Sequence, residues 1–139
     1  MTLPSPAPYS TGMSAPKLGP AFFEAVDPDG FRILLTKRVW FGHVLGSDER
    51  VFRTGRFTRD HVKGTLEKPL EIRQNEKAQR LNRVYYREWK GVDKLNPYLR
   101  LSIWIHDLAS KQGFVTSVVP VAFIPPVDKF SEEKKVWPR

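Results

Sequence analysis

Three histidines, His43, His61 and His106, carry the only side chains of this chain whose ordinary pKa suits proton transfer near neutral pH. There is no cysteine, which excludes thiol nucleophiles, disulfide frameworks and cysteine-ligated zinc or iron–sulfur sites. Neither expected helix carries a carboxylate pair at helical spacing, and a glycine-rich phosphate loop and a metal-ligand cluster are also missing from the sequence. Two-acid hydrolases, nucleotide triphosphatases and two-metal nucleases are therefore not expected, and neither a metal nor a cofactor is called for. Metal-independent chemistry at a phosphodiester remains open. It needs a base for the 2′-hydroxyl, an acid for the leaving oxygen and cations on the phosphorane. Arg83 and Arg87 are candidates to hold that phosphate, because a guanidinium stays charged and forks onto two oxygens. Tyr85 between them can donate a proton or stack a base, whereas Tyr86 is expected in the core. His106 shares a strand with Arg100 and Trp104. His43 follows Trp40 at helical spacing, either as a proton-transfer group or as a half-buried helix histidine bonded to a carbonyl. His61 is expected to be a solvated helix residue.

These side chains must be positioned by elements that the pattern reveals. Residues 1–20 hold Pro4, Pro6, Pro8, Pro16 and Pro20 and read as an extended linker or tail. The body spans residues 21–124, and residues 125–139 read as a C-terminal surface tail. Asp27-Pro28-Asp29-Gly30 is a turn signal, and Phe31–Leu35 reads as a short strand. Thr36 is placed to cap a helix over Lys37–Leu45 that Gly46 closes. Thr58 starts a second helix with Val62 and Leu66 on one side, ending before Pro69, although Gly64 weakens it. The period then changes to two. Leu70–Arg73, Leu81–Trp89, Tyr98–Asp107 and Gly113–Phe123 read as strands joined by hairpin-length connections. The expected fold class is α+β: a short strand, two helices, then a mostly antiparallel four-stranded sheet with helices on one face.

Alternation assigns the faces. Leu99, Leu101, Ile103 and Ile105 form a core face, leaving Arg100, Ser102, Trp104 and His106 on the other. Arg83, Tyr85 and Arg87 share a face of their own strand. Their basic and aromatic character is expected to place them beside Arg100 and Trp104 on one exposed surface. Interleaved cations and rings suit single-stranded nucleic acid, and Arg100, Trp104 and Lys90 are the candidate contacts. An ordinary wet sheet face explains the arginines equally well, but explains Trp104 and Tyr85 less well.

The charge supports a polyanionic partner. Lys and Arg number 23 against 15 Asp and Glu, a formal net of +8. Residues 53–100 hold 13 basic and 6 acidic side chains, hence a net of +7 from that block. RNA is the expected partner. No apolar run is long enough for a transmembrane helix, and no cleaved signal is legible. The expected setting is the cytoplasm, or delivery into a target cell without a cleaved signal peptide.

The segment from Asp27 through Leu34-Leu35-Thr36 to Trp40-Phe41-Gly42-His43-Val44 resembles the opening of phage-associated Barnase–EndoU–colicin–RelE-like (BECR) nuclease domains. Val62 to Ile72, with Leu66 and Pro69, looks like their second helix and its approach to the sheet. Arg83-Val84-Tyr85-Tyr86-Arg87 is similar to their tyrosine-containing strand, and Gly113-Phe114-Val115-Thr116-Ser117 to a late strand. The resemblance covers about residues 27–124. It implies a metal-independent ribonuclease, often a toxin or effector domain, that leaves a 2′,3′-cyclic phosphate. It further implies His43 and Thr116 as site residues, and for a toxin an acidic antitoxin or immunity protein as a partner. Many relatives carry a His-Pro-Glu segment where Gly46-Ser47-Asp48-Glu49 stands here, so a second family histidine is missing. A catalytically inert nucleic-acid-binding module on the same scaffold is the alternative.

Overall fold

The computed structural model describes residues 21–40, 57–77, 80–127 and 133–139. Strand β1 (Ala21–Val26) turns back through Asp27-Pro28-Asp29-Gly30 into β2 (Arg32–Thr36). The turn holds because the Asp27 Oδ1 accepts the backbone N–H of Asp29 and of Phe31, both at 2.8 Å. Gly30 closes it at φ 88°, a left-handed backbone that favours glycine. Helix α1 (Lys37–Val39) begins where Thr36 Oγ1 accepts the Val39 N–H at 3.1 Å. The expected continuation of this helix to Leu45 lies outside the described residues.

Helix α2 (Arg59–Glu67) starts at Thr58, as the sequence implies. Val62 and Leu66 are fully buried and anchor it against the sheet. Gly64 stands mid-helix for a packing reason: a Cβ there would come within 2.7 Å of the Trp89 ring. The ring of Trp89 is held by its Nε1–H, which donates to Thr65 Oγ1 at 3.0 Å.

Five further strands follow: β3 (Glu71–Lys77), β4 (Arg80–Glu88), β5 (Tyr98–Asp107), β6 (Gln112–Val121) and β7 (Lys134–Trp137). They join the first two in one seven-stranded sheet of order β1-β2-β6-β5-β4-β3-β7. All neighbours are antiparallel except β2 and β6, which run parallel. This overturns the expected α+β layout of a four-stranded sheet with helices on one face. The protein is β-rich, with a mixed sheet and two helices among the described residues. The difference has physical causes. β1 exists by pairing with β2, and its Ala-Phe-Phe-Glu-Ala-Val run alternates too briefly to announce itself. β7 begins with Lys134 and Lys135, which suit a solvated sheet edge as well as a tail. The parallel contact joins residues about 80 positions apart, and no local period specifies it.

The core lies between one sheet face and α2. Leu99, Leu101 and Ile103 are 0% exposed and alternate with half-buried neighbours along β5. Each such side chain contributes about 1.5–3 kcal/mol when taken from water. Ile33, Leu35, Ile72 and Val115 complete the same layer, and Val136 and Trp137 of β7 pack at its margin.

Candidate nucleic-acid interface

Cross-strand register decides which side chains share a surface, because directly opposed residues point the same way. Arg83 opposes Ile103, Tyr85 opposes Leu101 and Arg87 opposes Leu99. All three therefore stand on the core face. The expected common surface of Arg83, Tyr85, Arg87, Arg100, Ser102, Trp104 and His106 does not form; the two sets lie on opposite sides of the sheet. Alternation within each strand was legible, but the relative phase of the two strands was not.

Arg83 and Tyr85 belong to a buried polar network. Arg83 is 3% exposed and Tyr85 is 0% exposed. The Arg83 Nη2 donates to Asp27 Oδ2 at 3.1 Å and to Asp29 Oδ2 at 2.8 Å. Its Nη1 donates to Gln74 Oε1 at 2.9 Å, and its Nε to the Tyr85 hydroxyl oxygen at 3.1 Å. The Tyr85 hydroxyl itself donates to Asp27 Oδ2. Burial pushes the Tyr85 pKa well above its ordinary value despite the Arg83 charge, so the phenol keeps the proton it donates. Burial alone would raise the Asp29 carboxyl, but hydrogen bonds from Arg139 and Arg83 outweigh it and leave the pKa lowered. Arg139 closes the network from outside, donating to Asp29 Oδ1 at 2.8 Å. These partners take four of the five guanidinium N–H donors and bind the side chain into the network.

Arg87 stacks on the Trp89 ring at 3.8 Å from its centroid and donates to the Gly64 carbonyl at 3.2 Å. His61 is a cap rather than a solvated residue. Its Nδ1 accepts the Thr58 N–H at 2.9 Å, and its ring meets Trp89 edge-on at 4.7 Å. Burial lowers its pKa, Asp60 opposes the shift and Arg87 adds to it. Thr116 is the extra residue of a β-bulge opposite Ser102 and Ile103, exposed, with its hydroxyl donating to the Ser102 carbonyl at 3.0 Å. Lys90 is exposed in the β4–β5 connection. His43 lies outside the described residues.

The second face carries the remaining candidates and several that the sequence reading missed. Leu34, Phe114, Trp104 and Asn82 oppose one another in turn across β2, β6, β5 and β4. They form one cross-sheet row. Phe114 and Trp104 meet edge to face with centroids 5.3 Å apart, and His106 lies 5.6 Å from the Phe114 centroid. All three rings are half-buried. Burial lowers the His106 pKa against the pull of Asp107, so the imidazole is neutral at about pH 7. Arg32 flanks the row from β2; Arg100 stands two rows further along β5, with Ser102 between it and Trp104. Phe114 was detectable in principle: in Gly113-Phe114-Val115 the small and branched residues alternate with a ring.

This face has two halves. Over β3 and β4, Tyr86 is 2% and Val84 is 3% exposed. Arg73 lies over the Tyr86 ring and donates to the Pro125 carbonyl, while Arg100 reaches the Tyr86 hydroxyl at 3.3 Å. Over β2, β6 and β5 the aromatic row stays partly open to solvent. The arginines of the face are paired: Arg32 with Glu24 at 2.9 Å, Arg73 with Glu71, and Arg100 with Glu133 at 3.7 Å. The surplus positive charge is thus not focused on this surface, and rings dominate its chemistry. α2 and Val39 of α1 pack against the core of the opposite face.

Among the described residues no group of three His, Asp or Glu could hold a metal ion, and no helix is long and apolar enough to cross a membrane. Comparison with known protein families, curated proteins and solved structures finds no match, so the BECR resemblance rests on the quoted motifs alone.

Proposed function

We propose that this protein binds single-stranded nucleic acid across the open half of its second sheet face. The observation that carries the reading is the half-exposed row of Leu34, Phe114 and Trp104, with Arg32 beside it and Arg100 two rows further along β5. Aromatic side chains on a sheet offer stacking platforms for unpaired bases, and a base stacked on a ring contributes about 1–3 kcal/mol. Two flanking guanidiniums can each share a phosphate with the carboxylate that already orients them. With only two such contacts the salt dependence is shallow, about −1.4 in log K against log salt, from −0.7 per phosphate on a single strand. Fluorescence anisotropy of a labelled short oligouridine tests this. Binding that weakens in Trp104→Ala supports it; absence of binding, or equal binding by the variant, removes it.

Metal-independent RNA cleavage is the second reading, and His106 favours it. A neutral imidazole on the stacking face, near Arg32, has the protonation state a general base requires. Incubation of the protein with RNA in chelator separates the readings. Cyclic-phosphate ends that disappear in His106→Ala support cleavage; intact RNA leaves a binding surface.

A further inference from the structure

The open half of the second face offers rings rather than charge. Leu34, Phe114 and Trp104 are half-buried, and the two rings meet at 5.3 Å between centroids. The arginines around them already have carboxylate partners, Arg32 in Glu24 at 2.9 Å and Arg100 in Glu133 at 3.7 Å. A partly open ring surface with its cations neutralised suits an extended chain that carries little charge. Proline-rich segments dock on aromatic-lined grooves for this reason: their backbone is already extended and loses little entropy on binding.

This chain carries such a segment next to the surface. Residues 1–20, which lie outside the described residues, contain five prolines and one charged side chain, Lys17. Pro4, Pro6 and Pro8 alternate with the small residues Ser5 and Ala7, which leave the proline rings unobstructed. The segment joins β1 at Ala21, which opposes Thr36 of β2. Leu34 opposes Glu24 on the same strand, about 10 Å from that junction at 3.3 Å per residue. The row crosses the neighbouring strands β2, β6 and β5, and so spans about 10 Å. Proline-rich chain extends by about 3.1 Å per residue, so about four residues cover the row and the others suffice to reach it. Gly19-Pro20, a dipeptide that favours turns, stands at the junction. Tethering sets an effective concentration of about a millimolar, at which even a weak contact is populated.

We infer that residues 4–8 dock on the Leu34, Phe114 and Trp104 row of their own chain and cover it. The docking does not depend on the single-strand reading; where that reading holds, the segment and a strand compete for the same rings. The lack of native cysteine allows a clean test. Ser5→Cys and, separately, Ser10→Cys are made in the full chain and labelled with bimane, which tryptophan quenches at close range. Trp104 is the one tryptophan of four on the second face, because Trp40, Trp89 and Trp137 pack in or against the core cluster. Emission is expected to be about twofold lower than in the same labelled protein with Trp104→Phe, the value for a contact populated about half the time. Phenylalanine removes the quencher and keeps a ring on the face. The deficit is expected to persist on dilution and to shrink when Pro4, Pro6 and Pro8 are all replaced by Gly. Equal emission with and without Trp104 at both label positions overturns the docking. A deficit that vanishes on dilution reports contact between copies and overturns the intramolecular assignment. A deficit unchanged by the proline substitutions overturns the role of the extended proline backbone. Oligouridine is expected to relieve the quenching, and quenching that persists while anisotropy shows oligouridine bound overturns the shared surface. If oligouridine does not bind, the single-strand reading falls and the comparison with Trp104→Phe decides the docking by itself.

Discussion

Arg83 and Asp27 stand 56 positions apart in the chain yet meet at 3.1 Å, with the arginine 3% and the aspartate 4% exposed. A buried ion pair gains little over apolar packing, but losing one partner strands the other charge. Arg83→Ala and Asp27→Asn are therefore expected to cost about 3–5 kcal/mol each. Tyr85→Phe removes only one donor to Asp27 and should cost about 1–2 kcal/mol. Urea denaturation measures all three. Losses near zero for Arg83→Ala would show that the network does not hold the β1–β2 turn to β4.

On the opposite face, Trp104→Ala and Phe114→Ala are expected to weaken oligouridine binding by about 1–3 kcal/mol each, without comparable loss of stability. The residues touch each other, so the double variant should cost less than the sum. Anisotropy titrations alongside thermal melts separate the two effects. Variants that melt early and bind normally would assign the rings to packing.

Stability should also depend on the histidines. His61 and His106 both have pKa values lowered from 6.5, principally by burial. In such a group the unfolded chain takes up the proton first as pH falls. The contribution is complete above the unfolded pKa of 6.5 and is lost as pH drops from there towards the folded pKa. For His61 the structural cost is direct: a protonated Nδ1 can no longer accept the Thr58 N–H. Melting temperature should therefore decline on acidification below neutrality. His61→Gln keeps an acceptor at this capping position and removes the titration, so its decline should be smaller. Identical profiles would assign the effect elsewhere.

Gly64 offers a test of packing against propensity. Alanine in a helix interior is favoured over glycine by about 1 kcal/mol. Here its methyl would meet Trp89 at 2.7 Å, and that ring is tethered to Thr65 and covered by Arg87. Gly64→Ala is expected to destabilise by about 1–3 kcal/mol, as overpacking does. In a Trp89→Leu background the same substitution should be neutral or stabilising. Denaturation of the four proteins of that cycle gives the coupling directly, and additive costs would rule out the clash.

Local features were legible because they depend on neighbours in the chain. The turn at Asp27–Gly30 needed an aspartate to bond its own following amides and a glycine at positive φ. Thr36 and Thr58 mark their helices by capping chemistry, and the alternation of Tyr98–Asp107 maps onto burial residue by residue. The glycine in α2 looked like a weakness and proved to be clearance for the ring of Trp89, the residue that follows β4.

By itself, the sequence determined the period of each strand, hence the division of β5 into a Leu99–Ile105 side and an Arg100–His106 side. It also determined the basic balance and the absence of thiol chemistry. Only the tertiary structure decided which strands meet and in what phase. Placing Arg83 opposite Ile103 rather than Ser102 moves it from an exposed surface into a buried network. The side-chain period of a strand is two, so a relative shift of one residue exchanges the faces completely. The parallel union of β2 with β6 likewise brought Leu34 to Phe114 and extended the Trp104–Phe114 pair with a side chain from a distant segment. Such pairings are set by the free energy of the assembled core, to which no single segment holds the key.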